Sequence, residues 1–507
     1  MKRATDHLER HQPQKCPRPA IAHRVSSLSS SSSACSSSAD VLPSSKRRPL
    51  FRTVSGIGDG SGLATAASVN ETICSKRRRL TRLVNGRILQ EDGSLVQGTV
   101  VVDPDEGLIV AVEYGLQSNE DAQIDCVDCE GHILSPGFID IQMNGAYGVD
   151  FSSDGLTIAD ISYVSERLVE TGVTSFCPTM VSSSSETYRH VLARMREARQ
   201  DQASGRGKFG ANVLGLHLEG PFFAKSKRGA HDEQHIISPS DGMGSVAKVY
   251  GVKSNCEESL RDIDIVTLAP ELEGAHEAIA ALSEHSVVVS CGHTEATYND
   301  GIAALRHGAT LLTHLYNAMD PFHHRNPGLV GLLSSEAKLA SMSLERPFYS
   351  MIVDGIHVHE SAVAMAYASH PDGCVLVTDA MAALGLDDGE HTLGNMKVSI
   401  RGDRATLPGT ETLAGAVVGL DECVRRFHRF TCCSAGQALL CATLHPSIVL
   451  KRNSAKPKQI GRGLVDAPIG TIEPGAQADI IILDDTLTVL ETWLAGRCAY
   501  QRTLKQN

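Results

Sequence analysis

The chain has 507 residues, 42% of them hydrophobic, and a formal net charge of −12 at pH 7. That length supports a large buried core and two to four domains, and no run approaches the eighteen or so consecutive apolar residues that span a bilayer. The acidic balance argues against nucleic acid as the main partner, the first residues lack the apolar stretch of a secretory signal, and the fourteen cysteines, irregularly spaced, are read as reduced thiols.

The charge is uneven along the chain. Residues 1–80 carry fourteen Lys/Arg and five Asp/Glu, a balance of +9, which leaves −21 for residues 81–507. This head holds the run SSLSSSSSACSSSAD (26–40) and the basic clusters KRR (46–48) and KRRR (76–79). It has too little apolar surface to order itself and is read as a disordered extension. The expected location is cytoplasmic, and a nuclear or organelle address in the head is the alternative.

From 82 to 135 the runs RLVNGRIL, TVVV and LIVAVEY, separated by EDG and DPDEG, read as short strands and turns. The CVDC pair, Cys126 and Cys129, has no second pair nearby and is read as strand packing. A similar texture returns over 469–502, in GTIEPGAQADIIILDD and VLETWLAGRCAY. The two ends are expected to pair as one small β-sandwich flanking a central domain.

That domain, 136–468, alternates eight apolar runs with helical stretches: GFIDIQM (137–143), VTSFCPTM (173–180), VLGLHLEG (213–220), IVTLAPE (265–271), VVVSCGH (287–293), ATLLTHLYN (309–317), FYSMIVDG (348–355) and CVLVTDAM (374–381). Intervening segments such as IADISYVSERLVETG and TYNDGIAALRHG have helical periodicity. Continuous apolar strands between helices indicate a parallel sheet covered on both faces. Eight of them point to a closed (β/α)8 barrel of the TIM type, with a doubly wound sheet as the alternative.

Polar residues collect where these runs end: Gln142 and Asn144, Glu219, Glu271, His293, His314, Asp354 and Asp379. In a barrel such ends converge on one mouth, where sites are assembled from distant parts of the chain. Glu219, His293 and His314 form a ligand set suited to Zn2+ or a similar divalent ion with positions left for water. Such an ion brings bound water to a pKa of roughly 7, and Asp379 is placed to take the proton. HVH at 357–359 offers two imidazoles on one strand face, but it follows the turn residues Asp354 and Gly355, so His359 is read as a loop residue.

The segments PGFIDIQMNGAYGVDF, GLHLEGPFF, GAH, TLAPE, GHTEATY, THLYNAM, VDGIHV, LVTDAM and LAGA occur in this order. In that order they resemble the N-acetylglucosamine-6-phosphate deacetylases of the amidohydrolase superfamily, over about residues 82–500. PFHHR resembles the eukaryotic branch. The resemblance implies the same ligands, Glu219, His293 and His314, with Asp379 as general base and acid. It implies that His231 polarises the acetyl carbonyl beside Ala230, and that Asn317 and Ala318 bind substrate. It further implies that His357 meets the sugar phosphate, that Leu413, Ala414 and Gly415 line the acetyl end, and that Arg325 crosses a homodimer interface to the neighbouring phosphate. His323 and His324, in THLYNAMDPFHHR (313–325), are read as loop residues.

Many amidohydrolases hold a second metal with HxH on the first strand. Here those positions are Gln142 and Asn144, so one ion per subunit is expected, Zn2+ or else Fe2+, Co2+ or Mn2+. Segments around DGMGSV, KSNCEES and KRNSAKPKQIGRG (451–463) are read as insertions. The implied reaction is hydrolysis of N-acetyl-D-glucosamine 6-phosphate, with no nucleic acid or membrane partner. The rival readings are an amidohydrolase acting on an unphosphorylated N-acetyl sugar and a scaffold that has lost catalysis.

Overall fold

The computed structural model describes residues 79–115, 125–204, 210–253, 260–393, 396–406, 408–410, 413–451 and 467–503. The head up to residue 78, most of KSNCEES and residues 452–463 of the later insertion lie outside these.

The first five strands precede the barrel: β1 (Thr81–Leu89), β2 (Leu95–Asp103), β3 (Leu108–Tyr114), β4 (Asp125–Asp128) and β5 (Ile133–Pro136). The barrel strands are β6 (Phe138–Met143), β7 (Val173–Met180), β8 (Leu216–Glu219), β9 (Ile263–Leu268), β10 (Val288–Cys291), β11 (Ala309–Leu312), β12 (Phe348–Ile352) and β13 (Cys374–Val377). Four more, β14 (Gly389–Leu393), β15 (Met396–Arg401), β16 (Arg404–Thr406) and β17 (Leu413–Gly415), form a separate antiparallel sheet. The chain finishes with β18 (Ile480–Leu483), β19 (Val489–Leu494) and β20 (Arg497–Gln501).

The two ends do meet. They share one eight-stranded sheet in the order β20-β19-β18-β5-β1-β2-β3, with β4 paired to β1. The join is the antiparallel ladder of β18 on β5, from Ile480 opposite Pro136 to Leu483 opposite Ile133. Alternate residues of both ends close one apolar core that includes Leu83, Ile88, Val100, Val102, Leu134, Ile480, Ile482 and Trp493. Cys126 pairs with Arg82 in the β1–β4 ladder and Cys129 is buried, so the CVDC segment packs within this sheet.

Seven of the eight apolar runs contain a barrel strand whole, the fourth (265–271) overlaps a strand that starts two residues earlier at Ile263, and the parallel order is β6-β7-β8-β9-β10-β11-β12-β13. Closure brings β13 back to β6. Thr378 donates through both its N–H and its hydroxyl to the buried Asp140 carboxylate, and Asp379 N–H donates to the Gln142 carbonyl at 2.8 Å. The strands are buried on both faces, which is why they read as unbroken apolar runs. Two of the anticipated helices are Ile158–Leu168 and Tyr298–Arg306. Each starts at a capping box, Thr157 with Asp160 and Thr297 with Asp300, in which hydroxyl and carboxylate satisfy N–H groups the first turn leaves open. No helix among the described residues is long and apolar enough to cross a membrane.

Candidate metal centre

Glu219 is the last residue of β8, while His293, His314 and Asp379 each lie two residues past β10, β11 and β13. His293, His314 and Asp379 share an unusual backbone, with φ of 51°, 30° and 47°. Non-glycine residues pay for that left-handed conformation, and it concentrates where function demands a particular side-chain direction. Here it turns each side chain off the end of its strand toward the barrel axis. Gly220 needs its missing side chain for the same turn. At φ +89° an added Cβ would lie 2.4 Å from Ser182 Oγ and 2.8 Å from the Phe223 ring.

The three expected ligands converge. Glu219 Oε1 is 3.2 Å from His293 Nε2 and 3.1 Å from His314 Nε2, and the two imidazole nitrogens are 3.0 Å apart. Ligands about 2.0–2.1 Å from a tetrahedral Zn2+ lie roughly 3.3 Å from one another, so this triangle fits one ion. The tautomer of His293 agrees. His293 Nδ1 faces the Lys227 carbonyl at 2.8 Å and must donate to it, which leaves Nε2 with a bare lone pair toward the triangle. Phe223 stacks on the His293 ring with centroids 4.1 Å apart and fixes its plane.

A second, looser trio replaces His314 with His231, whose donor atoms with Glu219 and His293 fall within 4.8 Å of one another. The tighter set is the better ligand group, because His231 is committed elsewhere. Its Nδ1 accepts from Ser182 N–H at 3.0 Å, so in the neutral ring Nε2 carries the hydrogen. That N–H lies 3.9 Å from Glu219 Oε2, as a donor beside the triangle. Burial pushes the His231 pKa down to about 3, which keeps the ring neutral.

Gln142 and Asn144 face the carboxylates. Gln142 Nε2 donates to Glu219 Oε1 at 2.8 Å and to Asp379 Oδ1 at 3.2 Å, and Asn144 Nδ2 donates to Asp379 Oδ1 at 2.7 Å. A carboxylate accepts only from the amide NH2, which assigns both amide orientations. The Gln142 and Asn144 oxygens are buried with no partner, as is Asn317 Nδ2. Burial, then the nearby Glu219 charge, pushes the Asp379 pKa up to about 7. Burial acts on Glu219 in the same sense, but His293 and His314, which donate to it when their rings are protonated, outweigh it and hold that carboxyl well below the usual range.

The other expected residues are distributed around this centre. Ala230 is exposed next to buried His231. Asn317 N–H donates to the His314 carbonyl at 2.9 Å, and Ala318 accepts from Thr294 N–H at 3.0 Å. His357 Nδ1 binds Asp354 Oδ2 at 2.6 Å, and Asp354 Oδ1 accepts the N–H groups of Ile356 and His357, a turn that aims the imidazole. Leu413 to Gly415 form β17, and the following Ala416 accepts from Met381 N–H at 3.0 Å, just beyond Asp379. Arg325, His323 and His324 are exposed on one loop. His359 caps the helix Glu360–Ser369 and plays no part in the cluster. Glu271 holds the loop after β10 through Thr294 and through Glu295 N–H at 2.7 Å.

Three contributors were absent from the sequence reading: Ser182, Lys227 and Phe223. Ser182 opens a serine run two residues past β7 and Lys227 acts through its carbonyl, so neither leaves a side-chain signal. Phe223, the second residue after HLEGP, was visible only as an apolar residue.

Over residues 133–501 the chain matches the amidohydrolase family. It is 40% identical to the N-acetylglucosamine-6-phosphate deacetylase of Bos taurus over 444 residues, 87% of this chain and 98% of that protein. With the Homo sapiens enzyme of the same name it shares 42% over 421 residues, 83% of this chain and 94% of that one. Among solved structures, the N-acetylglucosamine-6-phosphate deacetylase of Thermotoga maritima superposes with a TM-score of 0.67 at 28% identity, covering 83% of this chain and all of that one.

Proposed function

The chain belongs to the amidohydrolase family, and from that premise we propose that it hydrolyses N-acetyl-D-glucosamine 6-phosphate to D-glucosamine 6-phosphate and acetate. The observation that carries the proposal is the triangle of Glu219, His293 and His314, with the Asp379 carboxylate held beside it by Asn144 and Gln142. The relatives named above act, by their names, on this sugar phosphate.

Glu219, His293 and His314 would hold one divalent ion, with Zn2+ first among the metals that accept two imidazoles and a carboxylate. When bound, it supplies Lewis acidity toward the acetamide oxygen and acidifies a water molecule. Asp379 takes the proton from the attacking water. Burial raises its pKa, and a raised pKa suits a group that must both accept that proton and return it to the departing amine. The His231 Nε2–H donates to the acetamide oxygen as charge develops there, a stabilisation that is usually the largest single contribution. Gln142 and Asn144 hold the two carboxylates rather than a second ion.

Asn317, Ala318, Ala230 and the Leu413–Gly415 strand line the sugar and acetyl ends in this reading. His357, oriented by Asp354, meets the phosphate. Arg325 is exposed and serves the neighbouring subunit of a homodimer, a task that suits a planar bidentate donor. The same reading places the enzyme in the cytoplasm.

The test compares acetate release from N-acetylglucosamine 6-phosphate, N-acetylglucosamine and N-acetylgalactosamine 6-phosphate. Preference for the first over the second supports the phosphate contacts, and preference over the third supports the gluco configuration. Equal turnover of the phosphorylated and unphosphorylated sugars would reject the role given to His357 and Arg325.

A further inference from the structure

One buried polar chain lies outside the catalytic roles assigned above. His217 stands two residues before Glu219 on β8, so both side chains point to the same face of the strand, into the barrel. Its Nδ1 lies 3.0 Å from the Ile141 carbonyl and its Nε2 2.7 Å from Thr267 Oγ1. Thr267 Oγ1 is 2.8 Å from Thr313 Oγ1, which is in turn bonded to Ser290 Oγ. His217 is 1% exposed and the three hydroxyl residues are fully buried.

The chain of bonds has one sense. A carbonyl only accepts, so His217 Nδ1 donates to Ile141, and the neutral ring receives the Thr267 hydroxyl at Nε2. Thr267 then accepts from Thr313, and Thr313 accepts from Ser290. Gly292 leaves the room for this: a Cβ there would lie 2.7 Å from Thr313 Cβ and 3.0 Å from Thr267 Cγ2.

Barrel interiors are ordinarily filled by branched apolar side chains, and a buried hydroxyl is costly unless satisfied. A fully satisfied chain is tolerated, and it specifies geometry that apolar packing leaves loose. The strands it joins are informative. His217 lies on β8, Ser290 on β10 and Thr313 directly after β11, the same three strands that end in Glu219, His293 and His314. Thr267, on β9, is the register partner of both Glu219 and Ser290. The fifth member, Ile141, precedes Gln142, whose amide grips Glu219.

We propose that His217 is a positioning residue: with Thr267, Thr313 and Ser290 it fixes the spacing of the three ligand-bearing strands and thereby the affinity of the site for its ion. This rests on the assignment of Glu219, His293 and His314 as the ligands.

The test uses the full chain, stripped by chelator and titrated with Zn2+ against a chromophoric competitor. Thr267→Val removes one hydroxyl and keeps the shape, while His217→Phe removes the whole anchor. Each is expected to weaken Zn2+ binding about 10–100-fold, as loss of an outer-sphere partner does. The double variant should be no worse than the weaker single one, since both break one chain. His217→Gln, whose amide can donate to Ile141 and accept from Thr267, should recover most of the affinity. In metal-saturated enzyme KM should stay near the parent value. Zn2+ affinity within about twofold of the parent in Thr267→Val and His217→Phe, even with a lowered melting temperature, would overturn the inference by leaving only a structural role. A His217→Gln variant no better than His217→Phe would overturn the hydrogen-bonding account. Glu219→Gln is the control: if it binds Zn2+ as tightly as the parent, the ligand assignment itself fails, and that failure is distinguishable from the other two.

Discussion

Asp379→Asn tests the proton-transfer step with the least disturbance of shape. The side chain is isosteric, and with its amide oxygen placed where Oδ1 now accepts from Asn144 at 2.7 Å and Gln142 at 3.2 Å, both bonds survive. The buried charge disappears, which relieves a site where burial and Glu219 already push the carboxyl up to about 7. The variant should therefore fold as well as the parent, and the assay is run with metal in excess because the lost charge no longer favours the cation. An amide cannot take the proton from water or return it to the amine. General acid–base catalysis contributes about 10²–10⁴-fold, so kcat should fall by that factor, roughly 2.7–5.4 kcal/mol of barrier. The assay is acetate release at saturating N-acetylglucosamine 6-phosphate, with metal content by elemental analysis and KM expected near the parent value. A kcat within tenfold of the parent, with metal in place, would refute the role of Asp379.

Arg325→Ala should raise KM for the phosphorylated sugar about 10–100-fold with little change in kcat, as expected for a charged hydrogen bond used equally in ground and transition states; unchanged KM would remove Arg325 from the phosphate site. The pH profile of kcat/KM should have an acid limb. Asp379 must be ionised to act, its pKa is raised to about 7 without an ion, and a nearby cation lowers it, so activity should fall as pH drops through a value at or below about 7. In Asp379→Asn the residual activity should lose that limb, and its persistence would assign the limb to another group. Gly220→Ala should destabilise the fold by about 2–4 kcal/mol in urea unfolding, through strain at φ +89° and the contact with Ser182 and Phe223. A loss under about 0.5 kcal/mol would show that the turn after Glu219 relaxes freely.

The barrel was legible because its strands are buried on both faces, so each appears as an apolar run, and because a polar residue at the end of seven of the eight runs stands out against it. Glu219, His293, His314 and Asp379, which the structure brings together, stood out in that way. The pairing of the two ends was legible from their shared turn-rich texture, and the ladder of β18 on β5 supplies its register. The four-stranded sheet of β14 to β17 was not foreseen, since its short strands carry mixed polar sequence such as GEHTL and RAT. Left-handed backbone at His293, His314 and Asp379 was equally hidden, because non-glycine residues give no propensity signal for it. Gln142 and Asn144 were recognised as poor ligands. Their work as donors to Glu219 and Asp379 depends on which strands face each other across the barrel, and spacing along the chain does not encode that. His217 was overlooked for a related reason: a single histidine within an apolar strand looks like ordinary core.

The most direct measurement is acetate release from N-acetylglucosamine 6-phosphate by the purified protein, before chelation, after chelation, and after Zn2+ is restored. The account predicts activity that chelator abolishes and one equivalent of Zn2+ per subunit returns. Undiminished acetate release from protein shown to be metal-free would contradict it.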